Sequence, residues 1–544
     1  MVNILITDGL WRKSLVATRA LGQKGIGVSV VGDSFFTSSF FSKYCKKRII
    51  LPLAKNDPEN FRLGIIKELK EKKYDLLIPM EDETIAVLLK VRKTIEKLTN
   101  FPVPSKNILE KAWDKAETIK IAKKIGIPVP KTYFSPDDKN IEFPLVVKPR
   151  KGSGGRGLVY IDNRDDLQEE YRWIQKEYSK PLIQERLPQE GEELGVNLLF
   201  NENQKVMAGF TYKRLRSYPV SGGPSTLRES TKNDHIMEMA IALMKAMKWY
   251  GVAMIEFKKD SRNGKMKLME VNPRFWGSLA LSISAGVNFP YLLYKMAMGE
   301  KLKPVFDYKI GVRCRWLVPG DILHFLSNPK RFSMKQSFFD FFDKNTKYDQ
   351  LSFEDFSGTL GVIASTLFHS VRPDMWKLVF RKNKKTHINK LETKQRLYFF
   401  LATGLVGDLL PFPGALGTFI GALIYFLILK HLSPASLLLS IILLIIISIF
   451  VSKKTAEIFQ EKDPPQIIID EAIGFLSIMP FFDFSWHELV IAFILFRIID
   501  NLKPYPIKLI EKKSPVILKI IIDDLVAAGY TIILLNFIKV LMIV

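Results

Sequence analysis

Only two cysteines, Cys45 and Cys314, occur in 544 residues, too few and too far apart for a disulfide framework or a thiolate metal site. Acidic residues are also scarce, 56 against 80 Lys plus Arg, leaving a formal net charge of +24. No nucleic-acid motif accompanies that excess, so an anionic membrane surface is the expected partner and nucleic acid is not. A P-loop Gly-Lys-Ser/Thr is missing, which argues against a transporter driven by a P-loop domain, and the first turn, Thr7-Asp8-Gly9, is no GxGxxG dinucleotide fingerprint. The opening run Met1-Val2-Asn3-Ile4-Leu5-Ile6 lacks a charged n-region and reads as a strand, not a signal peptide. The chain is too long for one domain.

Long apolar runs, by contrast, fill the last third, at about 416–430, 436–452, 471–482, 487–502 and 519–541. Several fall below the roughly 20 residues that cross a bilayer upright, which predicts a compact, partly re-entrant bundle. Carboxylates recur at the ends of these runs: Asp408 before Pro411 and Pro413, Asp470-Glu471, Asp500 with Lys503, and Asp523-Asp524. Ionisable groups beside hydrocarbon are costly and mark functional sites. Singly, each also reads as an interfacial charge that ends a helix. Together, Asp470, Glu471, Asp500, Asp523 and Asp524 predict a site for a hard cation such as Mg²⁺, which takes carboxylate oxygens and serves phosphate-ester hydrolysis. Lys453, Lys454, Lys462, Lys503, Lys508, Lys512, Lys513 and Lys519 gather in two connecting loops, which the positive-inside rule puts in the cytoplasm. The carboxylates then face the cytoplasm, and residues 397–415 lie on or dip into the membrane so that Asp408 joins the same site.

Four blocks give this region a family resemblance. Pro413-Gly414-Ala415-Leu416-Gly417-Thr418, Ile469-Asp470-Glu471-Ala472-Ile473-Gly474, the run Phe496-Arg497-Ile498-Ile499-Asp500-Asn501-Leu502-Lys503-Pro504, and Ile522-Asp523-Asp524-Leu525 stand in order. Through them residues 398–533 resemble phosphatidylglycerophosphatase A, a Mg²⁺-dependent membrane lipid phosphatase. The resemblance implies Asp470, Glu471, Asp500, Lys503, Asp523 and Asp524 as catalytic residues, with Mg²⁺ on Asp470, Asp523 and Asp524. It places Asp408 and Thr418 at the substrate, phosphatidylglycerophosphate or a related lipid phosphate. Ser514 to Lys519 stand where family members carry a Gly-rich turn.

The first hundred residues alternate buried strands (Ile4 to Thr7, Val28 to Gly32, Leu76 to Pro79) with helices at 14–24 and 59–72, which is βαβ grammar. Farther on, Lys148-Pro149-Arg150-Lys151-Gly152-Ser153-Gly154-Gly155-Arg156-Gly157 lies between two strands, a hairpin loop that either folds backbone N–H groups over a phosphate chain or is a plain turn. With Lys115, Gln184-Glu185-Arg186-Leu187, Glu193, Ile255-Glu256-Phe257 and Met269-Glu270-Val271-Asn272-Pro273-Arg274, the segment looks like the ATP-grasp superfamily. That resemblance implies an ATP- and Mg²⁺-dependent ligase that makes an acylphosphate from a carboxylic acid for an amine or thiol to attack. Lys115 and Lys148 would contact the phosphates under Gly152, Ser153, Gly154, Gly155 and Gly157. Glu185, Arg186 and Leu187 would form the adenine hinge and Glu193 would hold the ribose. Glu256, Glu270 and Asn272 would bind Mg²⁺, and Arg274 would stabilise the transferred phosphoryl group. Arg228 is either a bidentate clamp for the substrate carboxylate or a solvated loop arginine.

The expected architecture is an α/β pre-ATP-grasp domain at 1–104, an ATP-grasp domain at 105–300, an extension and linker at 301–395, and an all-α polytopic membrane bundle at 396–544. The aromatic and basic stretch 300–395 reads either as membrane-surface contact or as a solvated linker. The functional expectation is a bifunctional enzyme in the cell inner membrane, its soluble region and phosphatase site cytoplasmic. The alternative is a ligase whose membrane part is only an anchor or lipid-binding module.

Overall fold

The computed structural model describes residues 2–543 except 153–156, 179, 221, 329–330, 371–392, 404–412, 460–466, 483–484, 506 and 508–515. The chain divides into two units, Met1–Arg372 and Pro373–Val544.

In the first unit, β1 (Asn3–Ile6), β2 (Gly27–Gly32), β3 (Cys45–Ile50) and β4 (Leu76–Ile78) form a parallel sheet in the order β3-β2-β1-β4. Ile4, Leu5 and Ile6 have no exposed surface, as expected of a parallel strand covered on both faces. The helix Arg12–Gly22 matches the one expected at 14–24, and Pro58–Glu71 the one expected at 59–72. The latter starts where Asp57 accepts the Asn60 amide at 3.1 Å and Pro58 takes the first turn.

A second, antiparallel sheet has the order β5 (Thr132–Tyr133), β8 (Leu182–Glu185), β6 (Leu145–Lys148), β7 (Val159–Ile161). Leu167 and Ile174 of the helix Arg164–Glu177 join Leu145 and Val147 in its core. β6 and β7 are the arms of the glycine-rich hairpin. Gly152 at φ +109° and Gly157 at φ +67° hold backbone conformations that favour glycine.

The third sheet is built on β9 (Glu193–Phe200), β10 (Val206–Ser217), β11 (Ser225–Thr231), β12 (Gly251–Lys259) and β13 (Met266–Asn272). Its order is β13-β12-β9-β10-β11-β14-β15, where β14 is Arg313–Arg315 and β15 is Thr346–Tyr348. Those last two strands come from the stretch expected to be an extension and linker, and residues up to Ser370 belong to the first unit. Asp355 accepts from Arg19 at 2.7 Å, from the Ser42 hydroxyl at 2.7 Å and from the Lys43 amide at 2.9 Å. A buried carboxylate with three donors ties residue 355 back to the first helix.

The second unit is helical: Thr393–Thr403, Pro413–Leu427, Pro434–Phe459, Ile469–Leu476, Trp486–Leu502 and Val516–Ile543. Among the described residues three stretches are long and apolar enough to cross a membrane, Gly414–His431, Ala435–Glu457 and Ile521–Lys539. The run expected at 471–482 is instead the eight-residue helix Ile469–Leu476 and a short 3₁₀ turn, Met479–Phe481. Its residues 472–476 are all buried, and the Pro413–Leu427 helix lies close against it because glycines face its backbone. Gly417 abuts the Ile468 carbonyl oxygen, and a Cβ at Gly421 would stand 2.6 Å from that of Ala472. Small residues at such crossings let helices pack where lipid supplies no hydrophobic drive between them.

Candidate functional site

In the first unit β12 and β13 run antiparallel with Glu256 directly opposite Glu270, so two carboxylates share one sheet face. Arg214 of β10 is ion-paired with Glu256 and lies 3.4 Å from Glu193. Glu193, at the start of β9, also meets Lys258 at 3.2 Å. Lys115 bonds the Gly152 carbonyl at 2.5 Å and stands 3.5 Å from Glu270, which also accepts from Asn272 at 3.1 Å. Lys148 is buried at the end of β6. Glu185, at the end of β8, is held by Lys267 at 2.5 Å, Arg262 at 2.6 Å and the Lys131 amide at 2.8 Å. Next to it, Arg186 pairs with Asp162 at 2.8 Å and Leu187 is buried.

The electrostatics follow from burial. Loss of solvent and the neighbouring Lys115 push Lys148 down to about 8. Burial pushes Glu256 up to about 7, with Glu270 and Glu193 adding to it and Arg214 opposing. For Glu270 burial also acts upward, but Lys115, Asn272, Lys148 and Arg214 together hold it below the usual carboxylate range. A buried lysine whose charge is disfavoured suits an incoming polyanion; a carboxyl near neutrality suits an incoming cation. Among the described residues no three Asp, Glu, His or Cys side chains converge as they would around a bound ion. Glu256 and Glu270 point instead to Arg214 and Lys115, but with Asn272 they retain the oxygen donors that a hard cation takes.

Two expected residues are already engaged. Arg274 pairs with Asp82 at 2.8 Å, at the start of the helix Asp82–Leu89, and lies 3.8 Å from Glu81. Arg228 is fully buried against Asp349, which also accepts from the Cys314 thiol at 2.9 Å and lies 3.5 Å from Arg12. One Nη therefore holds a carboxylate of the chain itself and the other donates to the Ser225 carbonyl at 3.1 Å, so Arg228 is not the solvated loop arginine of the second alternative. Ser153, Gly154 and Gly155 lie outside the described residues.

The second unit gathers its own carboxylates. Asp470 and Glu471 begin the helix Ile469–Leu476, and Asp470 accepts the Glu471 amide at 3.1 Å. Asp523 receives Lys503 at 2.5 Å, and Lys503 takes a left-handed conformation at the end of Trp486–Leu502, φ +43°. Arg497 lies 2.8 Å from Asp500 and 3.4 Å from the Thr418 hydroxyl, which itself donates to the Gly414 carbonyl at 3.0 Å. Glu471, Asp500 and Asp523 all act electrostatically on Asp524. A Cβ on Gly474 would come within 2.6 Å of the Asp524 Cβ, which fixes the two helices at close range. Asp408 lies outside the described residues.

Five carboxylates thus share their surroundings with two cations, Arg497 and Lys503. Glu471 Oε2 and Asp524 Oδ1 are buried without a hydrogen-bond partner. Uncompensated buried charge costs several kcal/mol per ion, so these two oxygens suit an incoming cation, although among the described residues no three of these carboxylates converge as they would around a bound ion. Arg497, at the centre of this group, was visible in the sequence only as part of a motif. Arg214 gave no such signal, being one of three cations with Lys213 and Arg216 in the second half of β10.

The chain joins an α/β unit that carries an ATP-grasp match to a helical unit with apolar stretches long enough to cross a membrane. Residues 400–539 match the phosphatidylglycerophosphatase A family, and residues 177–318 match the family described as ATP-grasp in the biosynthetic pathway with Ter operon. A phosphatidylglycerophosphatase A of Haemophilus influenzae is 32% identical over 135 residues, 24% of this chain and 83% of that protein. Through its second unit the chain belongs to the phosphatidylglycerophosphatase A family. Over 275 residues, 47% of this chain and 71% of the other, it is 23% identical to a carbamoyl-phosphate synthase of Methanobrevibacter smithii. Among solved structures, a biotin carboxylase complex from Campylobacter jejuni is 17% identical with a TM-score of 0.49, covering 57% of this chain and 74% of that one.

Proposed function

We propose that the second unit hydrolyses a lipid phosphate monoester, phosphatidylglycerophosphate or a close relative, with Mg²⁺ held by Asp470, Asp523 and Asp524. In the same reading the first unit uses Mg·ATP to convert a carboxylic acid to an acylphosphate that an amine or thiol attacks. The observation that carries the phosphatase reading is the buried carboxylate group with two oxygens that no protein donor satisfies. Bound there, a divalent cation would neutralise phosphate oxygens and acidify water. Lys503 and Arg497 flank the carboxylates and would orient the phosphate by charge-assisted hydrogen bonds. Asp500 would keep the Arg497 guanidinium in place, and Glu471 would accept the proton of the attacking water.

In the ligase unit, Lys115 and Lys148 would bind the nucleotide phosphates beneath the glycine hairpin. Glu185 to Leu187 would frame the adenine, Glu193 the ribose, and Glu256, Glu270 and Asn272 the metal. The test for both units incubates the full chain in detergent with a panel of phosphorylated lipids, with and without Mg²⁺ and ATP, and identifies products by mass spectrometry. Nucleotide binding without any release of phosphate from lipid would leave the second unit an anchor.

The Glu256 carboxyl at about 7 sets a pH dependence. Below that value it is protonated and must lose a proton for metal to bind, so apparent Mg²⁺ affinity of the nucleotide complex should fall roughly tenfold per pH unit below neutrality. Titration calorimetry in buffers of different ionisation enthalpy should register that proton release, and Glu256→Gln should remove it. A pH-independent affinity between pH 5 and 7 would contradict the assignment of Glu256.

We also propose that Lys462 and Lys512, which lie outside the described residues, are on the cytoplasmic side. A cysteine at either position should resist a membrane-impermeant thiol reagent in intact cells, and one at Ser433 or Ser485 should react. The reverse pattern would put the carboxylates on the other side.

A further inference from the structure

We infer that the helix Phe356–Ser370 is an interfacial docking element that seats the first unit on an anionic bilayer surface. Phe356, Leu360, Ile363 and Leu367 follow helical spacing along one stripe, and all four are exposed. The opposite side is buried through Val362 and Ser365, and Gly361 abuts the Phe41 ring. That packing fixes which face turns outward. Phe36 stacks on Phe368 at 4.2 Å, and nearby in the chain Phe353 and Phe342 are 98% and 96% exposed. Exposed aromatic and aliphatic groups massed in one short stretch of chain exceed the scattered apolar residues of an ordinary surface.

The occupant is argued from the chain itself. Apolar stretches able to cross a membrane start at Gly414, so the end of this helix is tethered within about 45 residues of a bilayer. The sequence leaving the helix, 371–390, carries seven Lys or Arg against one Asp. Each such cation near an anionic surface adds attraction, while the apolar stripe partitions into the headgroup boundary. This inference does not depend on either proposed chemistry.

The experiment places an environment-sensitive fluorophore on Phe356→Cys, Leu360→Cys or, as a control, Leu63→Cys, which is 53% exposed on another helix. All three are made in a Cys45→Ala background; Cys314 is buried and does not label. The full chain is reconstituted into mixed phosphatidylcholine and phosphatidylglycerol vesicles containing a lipid with a quencher near its headgroup. Quenching at 356 and 360 should exceed that at 63 by at least about twofold, and should decline when phosphatidylglycerol is omitted. Equal quenching at all three positions would overturn the inference. So would a blue-shifted but unquenched label at 356 or 360, which would mean that protein, either another part of the chain or a second copy, covers the stripe.

Discussion

Asp470→Asn and Asp524→Asn should each abolish release of phosphate from lipid, by roughly three orders of magnitude or more, while nucleotide binding by the first unit persists. Both carboxylates are buried, and the charges around Asp524 are mostly of its own sign. Removing one negative charge from such a group relieves repulsion, so the Asn variants should melt no lower than wild type without metal. Metal should raise the melting temperature of wild type and fail to raise that of the variants. Activity loss with an unchanged melting curve identifies the carboxylates as functional. Partial activity in both variants would move the metal site to other carboxylates of the group, Glu471 or Asp500. Arg497→Lys retains the charge but not the planar guanidinium whose Nη1 meets both Asp500 and Thr418, and its effect should appear mainly in KM.

Lys148→Ala and Glu270→Ala should each weaken Mg·ATP binding by about 2 to 5 kcal/mol, thirtyfold or more, because each leaves a buried opposite charge uncompensated. Lys148 and Lys115 both act on Glu270, so the double variant should lose less than the sum of its single changes. Equilibrium dialysis with labelled ATP on the full chain measures this directly. Wild-type affinity in both single variants would remove the nucleotide assignment from this sheet face and leave the Glu256–Glu270 pair structural.

Much of this was legible in the sequence because the signals were local. Ile4 to Ile6 and Leu76 to Ile78 are unbroken apolar runs, as strands covered on both faces require, and their helices begin within a few residues of the expected positions. Glu256 and Glu270 could be put on neighbouring strands because a short turn joins them. Long-range partners were not legible. Nothing near Arg228 announces Asp349, 121 positions away, nor does anything near Arg19 announce Asp355. The strands inside the extension and linker expected at 301–395 were not legible for the same reason: β14 and β15 are three residues each, too short to show a period, and they exist because β14 pairs with the edge of β11 and β15 with β14. In the second unit, Ile469–Leu476 looked like the start of a span because its residues are apolar, but its hydrophobic surface is spent on neighbouring helices and not on lipid.

The closure of the first unit by Asp355 bears on how the chain is made. Synthesis runs from the N-terminus at roughly 5 to 20 residues per second, and roughly 60 residues separate Asp355 from the helix that opens at Pro413. A ribosome making this chain has therefore already made the last two strands of the large sheet, and the Asp355 tie, before it reaches the helix that opens at Pro413. The interval is on the order of 3 to 12 seconds. Slowing translation between codons 355 and 413 should raise the yield of correctly folded protein, whereas slowing it ahead of codon 313 should expose the unpaired edge of β11 for longer and favour aggregation.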